Sequence, residues 1–195
     1  MVKSVSDMAI QFEAPYRPIT VHEFDKMVDA GIIGPDERVE LVDGRIVLRE
    51  RMNAPHASIV ARIMHVLVRR LGERCSVWQQ LPFVLSDRAK PFPDLALVRS
   101  RPDYYGTRLP RREDVFAVVE VSDTMLAFDR GDKLRLYAKT AIPEYWIVDV
   151  KARTIEMCRD PHDLGYGSRA IAVLGTAVAF AAFADVAFSV DELLG

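Results

Sequence analysis

The sequence predicts an α/β (α+β) fold, in which helices flank a central β-sheet, and three observations support this class. Residues 115–121 read V-F-A-V-V-E-V, a run that is apolar except for Glu120 and is typical of a strand buried on both faces. Leu134 and Tyr137 then belong to an apolar stripe at the spacing of an amphipathic helix. A second amphipathic pattern begins after Asn53 and is long enough to cover one face of a sheet.

The N-terminal part of the chain contains several helix and turn signals. Residues 1–15 show no sustained periodicity, so we expect a loose arm there. The sequence T-V-H-E at residues 20–23 has the form of a capping box and predicts a short helix that ends at Gly31. Asp-Gly at residues 43–44 joins two apolar runs, which predicts a β-hairpin over residues 39–48.

The remaining elements follow from shorter patterns. The helix that begins after Asn53 is expected to end at Gly72. The apolar runs that predict further strands lie at residues 76–86, 93–98, 143–149 and 153–157, around 170–174 and at 186–188. The strand at 153–157 is expected to pair with the one at 143–149 across a short turn. Residues 191–194 are expected to form a last helical turn.

Composition bounds the class of protein and says little about its activity. Residues 16–195 are expected to form a single domain, since the chain has 195 residues and is 50% hydrophobic. The net charge of −2 neither favours nor excludes a nucleic-acid ligand, because local patches decide that question. Cys75 and Cys158 lack the spacing of a disulfide framework or a zinc site.

We expect a cytoplasmic protein without a membrane segment or an organic cofactor. The N-terminus has no apolar stretch behind basic residues, so no signal peptide is predicted. Residues 170–190 are the most membrane-like stretch, but Gly175, Thr176 and Asp185 break it into pieces of strand length. The cysteine usage fits a reducing compartment.

The segment at residues 99–112 is basic and aromatic. It contains two tyrosines and five arginines: Arg99, Arg101, Arg108, Arg111 and Arg112. Arginine matches phosphate geometry and tyrosine stacks on bases, so this segment is a candidate nucleic-acid contact. An ordinary solvated loop explains the same composition, and both interpretations stay open.

Glu120 gives the strongest indication of chemistry, because a carboxylate inside an apolar strand must be paired, protonated or bound to a cation. Asp94 begins another predicted strand, so pairing of the two strands would bring both carboxylates together. Converging carboxylates suit Mg²⁺ or Mn²⁺, which also bind phosphate oxygens. Val121 points away from this face and is expected to offer its backbone carbonyl as a further ligand. Lys133, at the start of the following helix, would hold the attacking water.

Simpler interpretations exist for the other charged residues. Asp94 is also a suitable turn former, and Asp129 and Lys133 have the spacing of a surface ion pair on a helix. Glu40 lies in the first strand of the hairpin, and its local sequence favours an edge carboxylate that faces water. None of these interpretations accounts for Glu120.

Short motifs in a fixed order indicate a family. P-D at residues 93–94 and E-V-S at residues 120–122 resemble the PD-(D/E)XK nuclease superfamily, although Ser122 stands where the consensus has lysine. In one subgroup the lysine lies on the next helix, and this sequence resembles that group, the Uma-two family, whose members are regarded as restriction endonucleases. The matching motifs are E-L-V-D-G-R-I from Glu40, P-H-A-S-I from Pro55, P-D-L-A-L-V from Pro93, V-V-E-V-S from Val118, D-R-G-D-K-L-R-L-Y from Asp129 and I-P-E-Y-W-I-V-D from Ile142.

The resemblance implies a restriction-endonuclease-like core, with a mixed central β-sheet flanked by helices, an N-terminal helix and hairpin, and added C-terminal strands. It implies Asp94 and Glu120 as metal ligands, Lys133 as the catalytic lysine and Glu40 as an added acid. His56 stands at the family's histidine position at a helix start and is expected to line the same cleft. The stretch S-D-T-M-L-A-F-D before the lysine departs from the family pattern and is expected to alter the cleft rim.

The implied activity is that of a DNA endonuclease dependent on Mg²⁺ (or Mn²⁺), which hydrolyses phosphodiester bonds by in-line attack of a metal-bound water. Cutting both strands of a duplex usually needs two active sites, so DNA and a second copy of the chain are the expected partners. Two alternatives stay open. One is a catalytically silent DNA-binding or assembly module with the same fold, and the other is a nuclease that acts on RNA.

Overall fold

The computed structural model describes residues 16–49 and 52–195, so the arm predicted for residues 1–15 lies outside the described residues. The helices are α1 (Val21–Asp29), α2 (Ala54–Leu71), α3 (Leu126–Phe128), α4 (Leu134–Lys139) and α5 (Val190–Leu194). A π-helical turn at Asp129–Lys133 joins α3 to α4. The strands are β1 (Val39–Val42), β2 (Arg45–Leu48), β3 (Ser76–Gln79), β4 (Leu95–Val98), β5 (Val115–Ser122), β6 (Glu144–Asp149), β7 (Thr154–His162), β8 (Gly165–Val173), β9 (Ala177–Val178) and β10 (Phe188–Ser189).

Strands β3 to β8 form one six-stranded sheet in chain order. β5 and β6 pair in parallel, whereas the other neighbours pair antiparallel, so the expected mixed sheet is confirmed. Parallel neighbours need a crossover connection, which the helical stretch from α3 to α4 provides. β5 therefore lies inside the sheet, with β4 on one side and β6 on the other.

Helices cover both faces of this sheet. α2 and α5 pack on one face, where Leu67 and Val119 belong to the same apolar cluster. α4 packs on the other face, where Tyr137 and Val118 belong to a second cluster. Val118 and Val119 are consecutive in β5 and point to opposite faces, so burial of both explains the continuous apolar run. Within the described ranges, no helix is both long and apolar enough to cross a membrane.

β1 and β2 form the predicted hairpin, and its turn is the Asp-Gly pair. Asp43 and Gly44 have positive φ angles of 49° and 78°, as a type I′ turn requires. The hairpin is a separate two-stranded sheet, which the backbone of Leu41 attaches to Lys90 in the segment before β4. Phe24 of α1 packs with Leu41 in a third apolar cluster. These contacts hold β1 close to the start of β4.

The strand predicted for residues 76–86 is wrong beyond Gln79, where β3 ends. Gln80 has a φ of 50°, and its N–H donates to the backbone carbonyl of Asp94 at 3.1 Å, so the chain turns there. Phe83 continues the alternating pattern and is fully buried in the second cluster, outside any strand. Alternation alone did not separate a strand from a buried loop.

The C-terminal elements match the sequence more closely. β7 pairs antiparallel with β6, as predicted. The strand predicted around residues 170–174 is the end of the longer β8, and the one at 186–188 is reduced to the two-residue β10. α5 is the predicted last helical turn.

We predict that Gly44→Ala destabilises the fold more than Gly31→Ala. Both glycines have positive φ, so both variants carry a left-handed strain of about 1–2 kcal/mol. A Cβ on Gly44 would lie 2.4 Å from Cβ of Pro18, whereas a Cβ on Gly31 would meet no heavy atom within 4 Å. Overpacking should therefore cost Gly44→Ala about 1–3 kcal/mol more. Urea unfolding measures both losses, and equal values would contradict this contact.

Candidate active site

Asp94 and Glu120 meet where β4 begins and β5 ends. The two strands are antiparallel neighbours, and Leu95 pairs with Val119, so the residues beside this pair are also adjacent. The backbone N–H of Asp94 donates to Oε2 of Glu120 at 3.3 Å, and the N–H of Val121 donates to Oδ2 of Asp94 at 2.9 Å. The expected pairing of these strands is confirmed, and it brings the two carboxylates together.

Lys133 reaches the same point from the helical side. Its Nζ lies 2.8 Å from Oε1 of Glu120 and 3.0 Å from Oε1 of Glu40. Lys133 is the last residue of the π-helical turn, and such turns often occur at functional sites. Lys133 and Asp129 are only 6% and 5% exposed, so they are not a pair on a helix surface.

Glu40 approaches from the hairpin. Its side chain is 1% exposed, which contradicts the interpretation of an edge carboxylate that faces water. Oε2 of Glu40 accepts a hydrogen bond from the backbone N–H of Phe92 at 2.9 Å, while Oε1 contacts Lys133. Glu40 therefore connects the hairpin, the segment before β4 and the lysine.

His56 and Gln80 orient Asp94. The Asn53 side chain caps α2 by accepting a hydrogen bond from the His56 backbone, and Nε2 of His56 lies 3.1 Å from Oδ2 of Asp94. Nε2 of Gln80 donates to Oδ1 of the same carboxylate at 3.3 Å. Burial acts to raise the pKa of Asp94, but His56 and the Val121 N–H hold it below its usual value. The site therefore favours an ionised Asp94.

The sequence did not indicate Tyr137 as a site residue. Its hydroxyl donates to Oε1 of Glu120 at 2.7 Å, beside the Lys133 contact. Tyr137 belongs to the apolar stripe of α4 and is fully buried, so its spacing indicates only a core position. A tyrosine hydroxyl on a buried helix face needs a hydrogen-bond partner, and this requirement is the one feature of the sequence that could have indicated Tyr137 as a site residue.

Burial and neighbouring charges act in opposite directions on the acids and the lysine. Burial raises the pKa of Glu120 to about 8, and the Lys133 ammonium opposes this rise. Burial acts to lower the pKa of Lys133, but Glu120, Glu40 and Asp129 raise it above its usual value. Burial also raises the pKa of Asp129 to about 6. Lys133 therefore stays charged at neutral pH, and a cation beside Glu120 would favour the ionised carboxylate.

The donor set of this cleft fits Mg²⁺ or Mn²⁺ better than zinc. Among residues 16–49 and 52–195, no group of three His, Cys, Asp or Glu side chains is arranged to hold a metal. Mg²⁺ commonly uses one or two carboxylates and keeps several waters, so a pair of carboxylates such as Asp94 and Glu120 matches its usual donors, and both residues stay predicted ligands. Val121 lines the cleft although its side chain belongs to the opposite apolar cluster, and its backbone carbonyl stays a predicted ligand.

The five arginines of the 99–112 segment are not brought to this cleft. The segment joins the end of β4 to the start of β5, opposite to the ends that carry Asp94 and Glu120. Arg101 is paired with Asp103 and Arg108 with Asp114, at 2.7 and 2.5 Å. A nucleic-acid contact by this segment stays a prediction. The cleft is instead lined by two arginines that the sequence did not indicate, Arg38 and Arg49.

Comparison with known proteins shows the family and the fold of this chain. The model of the Uma2 family, described as "Putative restriction endonuclease", matches residues 21–190. A crystal structure of a "putative nuclease belonging to DUF820" from Anabaena variabilis ATCC 29413 has the same fold, with a TM-score of 0.72 and 15% identity over 91% of this chain and 98% of that one. No curated protein sequence matches the chain. The expected family is thereby confirmed, and the chain belongs to the Uma2 family of restriction-endonuclease-like proteins.

Proposed function

We propose that this chain is a divalent-cation-dependent nuclease that hydrolyses phosphodiester bonds in DNA. The observation that carries the proposal is the meeting of Asp94, Glu120 and Lys133 in one cleft, from two strands and the following helix. Two carboxylates supply anionic ligands for a hard cation, and a charged lysine lies beside them. Membership of a family described by nuclease activity supports the same conclusion.

Asp94 and Glu120 would hold Mg²⁺ or Mn²⁺, which supplies positive charge against phosphate oxygens and acidifies water. Lys133 would orient the attacking water and offset the negative charge that grows on the phosphate. Attack at phosphorus forms one P–O bond and breaks the P–O bond to the leaving oxygen. His56 would keep Asp94 oriented, since its Nε2 contacts the carboxylate directly. Glu40 would keep the lysine in place.

The proposal also includes a cytoplasmic location and DNA as the substrate. Cys75 and Cys158 are both buried and unpaired, which suits the reducing cytoplasm. DNA is the proposed substrate because the family is described as restriction endonucleases, which act on DNA.

We predict that Asp94→Asn and Glu120→Gln each abolish Mn²⁺ binding and nucleic-acid cleavage. Each change removes a negative charge from the proposed ligand set and nearly preserves side-chain volume. Titration calorimetry measures metal binding, and circular dichroism confirms that the variants are folded. Asp185→Asn is the matched control, because Asp185 is exposed and pairs with Arg74. Unchanged Mn²⁺ affinity in both site variants would refute the ligand assignment.

We predict that Lys133→Met lowers turnover about 100-fold while Mn²⁺ affinity stays nearly unchanged. The variant removes the charge that orients water but leaves both proposed ligands. Single-turnover cleavage and calorimetry on the same preparation separate the chemical step from metal binding. Full activity in Lys133→Met would show that another group holds the water.

A second substitution, Ser122→Lys, tests whether a lysine on β5 can replace Lys133. Ser122 lies two residues after Glu120 in β5, so both side chains point to the same face. We expect Lys133→Met combined with Ser122→Lys to recover measurable cleavage, whereas Ser122→Lys alone should add little. Absence of rescue in a folded, Mn²⁺-binding double variant would mean that the strand position does not reach the water.

We predict that the active form is a homodimer, because cutting both strands of a duplex usually needs two active sites. Sedimentation velocity at the concentration of the cleavage assay measures the mass in solution. A monomer that still makes double-strand breaks at that concentration would contradict the prediction.

A further inference from the structure

Arg38 and Arg49 form an arginine pair at the acidic cleft. The backbone N–H of Arg49 donates to the carbonyl of Arg38 at 2.8 Å, at the open end of the hairpin, just before β1 and just after β2. Both residues line the cleft. Within residues 16–49 and 52–195, the ion pairs of this cleft join Lys133 to the glutamates and His56 to Asp94, and none includes either arginine.

Phe92 holds the Arg49 guanidinium in place. Cζ of Arg49 lies 4.9 Å from the centroid of the Phe92 ring, a distance typical of a cation–π contact. The backbone N–H of Phe92 donates to Glu40, and Phe92 is two residues before Asp94. Arg49 therefore packs against the same segment before β4 that binds Glu40 through Phe92 and carries Asp94. Stacking uses the face of a guanidinium and leaves its N–H groups for the oxygens of a carboxylate or a phosphate.

Neighbouring charges act in opposite directions on the Arg49 guanidinium. Burial lowers the pKa of Arg49, Glu40 opposes this effect, the Arg38 charge lowers the pKa further, and Glu120 and Asp94 raise it. A cation held by Asp94 and Glu120 would offset their attraction for the guanidinium, and an anion beside the two arginines would then be favourable.

The net charge of the whole cleft depends on the cation. The acids that line it are Glu40, Asp94, Glu120 and Asp129, and the bases are Arg38, Arg49 and Lys133, so with every acid ionised, as a bound cation favours, the side chains sum to −1. One divalent cation changes this sum from −1 to +1. A phosphodiester carries one negative charge, so it would neutralise the loaded cleft.

We propose that Arg49, supported by Arg38, binds a backbone phosphate of the nucleic-acid substrate and fixes its position beside Asp94 and Glu120. The inference rests on the proposed nuclease function and adds the part of the site that receives the phosphate. A guanidinium presents parallel N–H groups that match two oxygens of a phosphate, and lysine cannot reproduce that geometry. Arg49 is thus a substrate-binding residue at the hairpin end of the cleft.

Fluorescence anisotropy with Ca²⁺ in place of Mg²⁺ tests this proposal by binding, without cleavage as the readout. The probes are labelled duplex DNA, single-stranded DNA and single-stranded RNA of equal length, each titrated at several salt concentrations. Arg49→Ala should weaken binding of the preferred probe about tenfold and reduce the salt slope by about one. Arg49→Lys should give an intermediate loss, because it keeps the charge and loses the paired N–H geometry.

Arg74→Ala is the matched control. Arg74 also lies over a phenylalanine ring, 5.0 Å from the centroid of Phe183, but it is paired with Asp185. The Arg74→Ala variant should bind nucleic acid within about twofold of the unmodified protein. The Arg74 guanidinium is already paired with Asp185, so we expect no phosphate contact that the substitution could remove. Melting temperatures confirm that all three variants are folded.

The outcomes separate this inference from the proposed function. If the unmodified protein binds nucleic acid and Arg49→Ala binds with equal affinity and salt slope, Arg49 does not receive the phosphate and the nuclease proposal stands. If the unmodified protein neither binds nor cuts any of the three probes with Mg²⁺ or Mn²⁺, the proposed function fails and this inference with it. A raised KM with unchanged kcat in Arg49→Ala would support binding and positioning of the substrate.

Discussion

The buried pair of Glu120 and Lys133 is the interaction on which the rest of the site depends. A carboxylate and an ammonium are both removed from water here, and each loses several kcal/mol of hydration. Their 2.8 Å contact offsets part of this cost, and the Tyr137 hydroxyl adds a second hydrogen bond to the same oxygen. Glu40 contributes a further negative charge next to the lysine. The surrounding elements supply the partners that make this burial tolerable.

Three separate parts of the chain bring side chains to this site, which explains the layout of the fold. The hairpin contributes Glu40 and is held against the segment before β4 by Leu41. The start of α2 contributes His56, and the π-helical turn places Lys133 over the end of β5. An excess of negative charge around one lysine is unfavourable unless a further cation binds there. The same excess suits a site that binds a divalent ion.

Sequence patterns predicted the parts of this arrangement that depend on neighbours along the chain. A single acid in the apolar run of β5 identified Glu120, and the Asp-Gly turn fixed the register of the hairpin. Tyr137 and Arg49 were missed, because their partners come from other elements and their own local patterns indicate a core stripe and a strand end. The arginines at residues 99–112 show the opposite difficulty. Composition made them candidates for a phosphate contact, yet Asp103 pairs with Arg101 and Asp114, just after the segment, pairs with Arg108.

The proposed nuclease site is tested most directly by incubation of the purified protein with supercoiled plasmid DNA, single-stranded DNA and RNA, each in Mg²⁺, Mn²⁺ or EDTA. We expect cleavage of DNA in Mg²⁺ or Mn²⁺ and its complete loss in EDTA. Cleavage restricted to RNA would keep the site chemistry and change the substrate. No cleavage of any substrate, or cleavage that persists in EDTA, would contradict the claim that these acids and the lysine form a cation-dependent nuclease site.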